Sequence, residues 1–136
     1  MFYSRPYILL ISSLFLLGLP TLAQATDEQG NYNQEDFFTP SSEYAISTWQ
    51  VVAKHLNCRQ QPGADQPIIL VFKEGDPITA QTSNGSHDNE GYLQLDDHDR
   101  PWMKVSLREM PNAPVRDCFV RAKQAYIRPV LDSQQP

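Results

Sequence analysis

Cysteine is scarce: two residues in a chain of 136 are too few to knit a disulfide miniprotein. They are not spaced Cys-x-x-Cys, so the usual redox-active pairing is absent. Positive charge is also in short supply. Eleven lysines and arginines stand against 16 aspartates and glutamates, a net charge of -5. That balance excludes nonspecific nucleic-acid binding as the main task. Glycine occurs only 6 times, and the 11 prolines follow no repeat, which excludes collagen and solenoids and disfavours long helices. Long hydrophobic runs are missing apart from residues 7–19, too short to span a bilayer comfortably. What remains is a small, acidic chain with room for one modest core.

The run at 7–19 (YILLISSLFLLGL) follows a short, weakly basic start containing Arg5. Pro20 then breaks any helix, and Ala23-Gln24-Ala25 gives the small-x-small pattern that signal peptidase reads. Residues 1–25 are therefore expected to be a signal peptide cut before Thr26, with an uncleaved anchor as the alternative. No cysteine follows the run, so no lipid attachment is expected. The mature protein is expected to be periplasmic or secreted, with no membrane span after signal removal.

Residues 26–47 hold five acids and no base, without a sustained apolar period, and read as a flexible acidic arm. Tyr32, Phe37, Phe38 and Tyr44 are the exceptions in it, able to dock on the domain or on a partner. From Trp49 the texture changes to short runs rich in Val, Ile and aromatics, divided by Pro, Gly and Asp. Trp49 to Arg59, Pro67 to Phe72, Pro77 to Thr82, Trp102 to Leu107, Cys118 to Val120 and Tyr126 to Val130 read as strands. Lys73-Glu74-Gly75-Asp76 reads as a tight reversal, and Ala122 to Ala125 as one helical turn. The polar stretch from Ser83 to Arg100, with Tyr92-Leu93-Gln94-Leu95 alternating inside it, reads as an extended hairpin or excursion. The expected fold is all-β, with five or six short strands curling into a small barrel over 48–131 and a tail at 132–136.

The succession Leu56-Asn57-Cys58-Arg59, Pro62-Gly63, Pro67-Ile68, Gly75-Asp76, Trp102-Met103-Lys104-Val105, Phe119-Val120 and Tyr126-Ile127 resembles the bacterial Src-homology-3 (SH3b) domain family over about residues 49–131. The resemblance implies an SH3-like barrel that binds extended ligands in a groove between its first and distal loops. The matching positions bordering such a groove are Arg59, Trp102, Phe119 and Tyr126, with barrel core or cover as the competing role for the aromatics. Three departures stand out. Cys58 replaces the family's usual apolar residue, Cys118 stands where a glycine commonly precedes the aromatic, and the segment from Ser83 to Arg100 is longer than the usual distal connection.

Cys58 and Cys118, each on an expected strand, are expected to form a disulfide in an oxidising compartment. Residues 87–99 (HDNEGYLQLDDHD) carry five acids and two histidines, yet lack the register of a calcium loop or a zinc site, so no metal is expected. No cofactor is expected either. His55 and Cys58 are three apart on a strand, which puts them on opposite faces, and no nucleophile–base or paired-carboxylate arrangement is evident. The expectation is a noncatalytic cell-envelope module for peptidoglycan or a peptide. The alternative is an assembly factor whose acidic arm and loop hold a basic protein partner.

Overall fold

A computed structural model describes residues 26–38, 45–82, 91–107, 111–112 and 117–131. The expected signal peptide, Tyr44, the start of the acidic excursion and the tail lie outside the described residues. The fold is all-β. Among the described residues, eight strands follow one another as β1 (Thr48–Val51), β2 (His55–Arg59), β3 (Ile68–Lys73), β4 (Pro77–Gln81), β5 (Leu93–Leu95), β6 (Pro101–Ser106), β7 (Cys118–Arg121) and β8 (Ile127–Pro129). They exceed the five or six expected for two reasons. The Trp49–Arg59 run breaks into β1 and β2, and the Leu93–Leu95 alternation pairs with β6 as a strand of its own.

The break at 52–54 is a change of hydrogen-bonding partners rather than a glycine or proline turn. Val52 N–H donates to Tyr126 O at 2.9 Å, and Gly75 N–H donates to Val51 O at 2.8 Å. β1 pairs antiparallel with β4, while β2 pairs with β3. Two long strands thus form one ribbon, bent at 52–54 on one side and at Glu74-Gly75-Asp76 on the other; the tight reversal expected at 73–76 is instead a corner, because β3 and β4 follow one another along the same arm and do not pair. Gly75 takes φ of 90°, a left-handed conformation that a side chain would strain. The hydrogen-bonded path runs β3-β2-β7-β6-β4-β1-β8 and is open, with β3 and β8 at its ends. β3 being an edge explains why its apolar run leaves Ile68 and Val71 exposed and buries only Phe72. The turn expected at Ala122 to Ala125 falls one residue later, where Tyr126 N–H and Ile127 N–H both donate to Lys123 O.

Strand alternation decides which residues enter the core. Leu56 and Cys58 of β2, Ile78 and Ala80 of β4, Met103 and Val105 of β6, and Cys118 and Val120 of β7 face inward. Cys58 and Cys118 are bonded, with Cα atoms 5.3 Å apart. They can meet because Arg59 lies directly opposite Phe119, which places the two preceding residues diagonally on the same face.

The described part of the acidic stretch is packed against this sheet. Tyr32 and Phe37 are buried with Trp49, their ring centroids 5.1 and 4.6 Å from its own, and Tyr92 stacks on Phe37 at 5.3 Å. A 3₁₀ turn over Gln34–Phe37 presents Phe37 to the core. It is held by a capping box in which the Asn33 side chain accepts from Glu35 and Asp36 N–H while Asp36 accepts from Asn33 N–H. Tyr32 O–H donates to Ile127 O at 2.9 Å, and Tyr32 N–H to Ala122 O at 3.0 Å. Of the aromatics read as free to choose between domain and partner, Tyr32 and Phe37 dock on the domain.

Candidate functional site

The same alternation that fills the core sends the intervening residues to the outer face. His55, Asn57 and Arg59 project from β2, Trp102 and Lys104 from β6, Phe119 and Arg121 from β7. Register aligns them: Phe119 stands opposite both Arg59 and Lys104, and Arg121 opposite Trp102. The β7–β8 turn then brings Lys123 and Tyr126 to the edge of this face. Part of this face borders an open hollow of about 480 Å³, within the size range of ligand pockets, lined by Arg59, Arg100, Trp102, Arg121, Lys123 and Tyr126 among others.

Three of the four residues nominated from sequence, Arg59, Trp102 and Tyr126, therefore meet in one place. Phe119 does not join them. It is buried on the same face but opens into a neighbouring hollow with Gln94, Lys104 and Asp117. Trp102 is only 2% exposed, so it forms a wall of the hollow and offers little free ring surface. His55 is exposed while Cys58 is buried in the disulfide, so the two form no pair.

Asp96 holds Trp102 in place. One of its carboxylate oxygens accepts from Trp102 Nε1–H at 2.8 Å and from Arg100 Nε–H at 2.9 Å. The other accepts from the backbone N–H groups of His98 at 2.9 Å and Arg100 at 3.1 Å. Burial pushes this carboxyl up, but the donors from Trp102, Arg100 and His98 together outweigh it and hold it well below the usual carboxylate range. The Asp-Asp-His-Asp cluster thus spends its first carboxylate on building the site. Among the described residues, no group of three or more His, Cys, Asp or Glu side chains is arranged to hold a metal ion.

Arg121 sits at the centre, its guanidinium 6.0 Å from the Trp102 ring centroid. It donates to Pro101 O at 2.8 Å and to Asn31 Oδ1 at 2.9 Å. Asn31 is in turn fixed by Asp27, whose two oxygens accept from Asn31 N–H at 2.8 Å and Nδ2–H at 3.0 Å. Burial first, and then the charge of Arg100, push the Arg121 guanidinium down from its ordinary value. The sequence reading missed Arg100, Arg121, Lys123 and the two supporting acids. Only Arg121 had a local signal, since it lies two residues beyond Phe119 on the same strand face.

No protein-family description matches the chain, and no solved structure matches it. Among curated proteins it is similar to the N-methyl-L-tryptophan oxidase of Salmonella heidelberg (strain SL476), 30% identical over 79 residues, which are 57% of this chain and 20% of that oxidase. The same-named protein of Shigella dysenteriae serotype 1 is 32% identical over 78 residues, again 20% of its length. The chain thus spans about a fifth of the length of the curated relatives it matches.

Proposed function

We propose that this chain is an exported, noncatalytic module with an SH3-like barrel of the SH3b kind, which binds a peptide or the peptide stem of peptidoglycan in the hollow bordered by Arg59, Trp102 and Tyr126. The observation that carries the reading is the convergence of those three side chains from β2, β6 and the β7–β8 turn, which are far apart in the chain. The barrel is supported by the bent ribbon. β4, β6, β7 and β2 are hydrogen-bonded in succession, and β2 continues through the corner at 52–54 into β1, which pairs with β4. That route turns the sheet back on itself.

An oxidising compartment fits the Cys58–Cys118 bond and the leader pattern of 1–25. Among the described residues, no helix is long and apolar enough to cross a membrane. The competing idea, partner capture by the acidic arm, is weakened by the burial of Tyr32 and Phe37 in the domain's own core.

Sedimentation with purified sacculi tests the proposal. Wild type should co-sediment, and Tyr126→Ala, assayed at a temperature where it remains folded because Tyr126 also packs on the core, should lose most of that binding. A wild-type protein that stays in the supernatant would reject the envelope reading.

A further inference from the structure

We infer that the hollow at Trp102 takes a carboxylate-bearing ligand, a short acidic peptide, and that Arg59, Arg100, Arg121 and Lys123 recognise it. The inference rests on this hollow being the ligand site proposed above and names the chemistry of what enters it.

The chain is acidic overall at -5, yet this hollow is lined by four permanent cations and by no carboxylate. Among the described residues, only Arg100 of the four has a carboxylate partner, Asp96. Arg59 donates to the neutral Gln66 O at 2.7 Å, and Arg121 to the neutral oxygens of Pro101 and Asn31. Lys123 has no acidic partner among the described residues. Like charges gathered on a partly desolvated wall repel one another, a repulsion that Asp96 and Asp27 offset in part at Arg121. An arriving carboxylate turns that repulsion into charge-assisted hydrogen bonds, and the planar guanidinium matches its two oxygens. The cations are also preorganised: the Asp27–Asn31–Arg121 relay and the Asp96–Arg100 pair fix two of them before any ligand arrives.

Two features favour a short peptide over a long polyanion. At physiological salt the groove's field reaches about 8 Å, enough for one or two carboxylates, while a polymer would also meet the protein's net negative charge. Next to the groove, a smaller hollow of about 200 Å³ is lined by Asp65, Asp96 and Asp97 with Arg100, and since Arg100 is paired with Asp96, the two remaining acids disfavour a continuing run of negative charge.

The test is a titration of the folded, disulfide-bonded protein with N-acetyl triglutamate, read by the Trp102 indole N–H resonance. N-acetylated, C-amidated triglutamine is the neutral control, and tripolyphosphate the alternative anion. Triglutamate should shift the signal saturably and triglutamine should not. Lys123→Glu should weaken triglutamate binding at least tenfold with an unchanged melting temperature, and Arg59→Gln gives an independent second loss. No saturable shift with triglutamate, equal binding of triglutamine, tighter binding of tripolyphosphate, or an unchanged affinity in both variants overturns the inference. Triglutamate binding by a protein that ignores sacculi would reject the envelope reading and uphold this one. Sacculus binding that Tyr126→Ala abolishes but Lys123→Glu and Arg59→Gln leave intact would do the reverse.

Discussion

Asp96→Asn is the most informative single perturbation, because one carboxylate joins the acidic loop to the groove wall. Its oxygens serve four donors, two backbone N–H groups on one and the side chains of Trp102 and Arg100 on the other. An asparagine supplies one carbonyl oxygen and one amide nitrogen. Whichever way it turns, a donor faces two donors. If the oxygen keeps the backbone pair, Trp102 Nε1–H is left unpaired on a residue 2% exposed. An orphaned buried donor costs about 1–3 kcal/mol, and the lost charge-assisted bond to Arg100 adds to that, for a total of about 2–4 kcal/mol. In a domain of this size that lowers the melting temperature by roughly 10–20 °C. Denaturant titration monitored by tryptophan fluorescence reads the change.

The pH dependence has a defined sign. The folded carboxyl lies below its unfolded value, so its stabilisation is fully present above the ordinary carboxylate range near pH 4 and is lost as pH falls further. The stability gap between wild type and Asp96→Asn should therefore narrow on acidification below about pH 4. A variant within about 0.5 kcal/mol of wild type at pH 7, with an unmoved Trp102 indole resonance, would refute the reasoning.

Three further outcomes follow from the packing. Replacing Cys58 and Cys118 together by alanine should cost about 4 kcal/mol, the chain-entropy value for closing a loop of 60 residues; equal denaturation midpoints with and without the bond would contradict it. Phe37→Ala should cost about 3–5 kcal/mol, because Phe37 is fully buried between Trp49 and Tyr92, and a melt unchanged from wild type would show that this segment is not part of the cooperative unit. Tyr32, with its phenol pushed up to about 12 chiefly by burial, stabilises the fold below pH 10 and withdraws that support as pH rises toward 12. Tyr32→Phe should flatten the alkaline branch of the stability profile, and an unaltered branch would count against the burial of its hydroxyl.

Much of the sheet was legible because a period of two is a local property. Leu56 and Cys58 inward with Arg59 outward follow from alternation alone, as do Ile78 with Ala80 and Met103 with Val105. The turn conformation at Gly75 was legible from residue chemistry, but its place as a corner within one arm, rather than a reversal between paired strands, was not. The corner at Val52-Ala53-Lys54 was not, since no residue there demands a bend; it arises because β1 and β2 answer to different partners. The docking of Tyr32 and Phe37 was hidden by the acids around them, whose average polarity masks two aromatic anchors.

The sequence by itself determined the all-β character, the inward and outward sets of β2, β4 and β6, and the nomination of Arg59, Trp102 and Tyr126. Only the tertiary structure decided that these three share a hollow, that Phe119 opens elsewhere, and that an acidic chain concentrates Arg100, Arg121 and Lys123 at one spot. The physical reason is range. Side-chain direction along a strand is set by the backbone within two residues, whereas the charge of a groove is summed over segments that meet only when β2, β6, β7 and the β7–β8 turn are brought together.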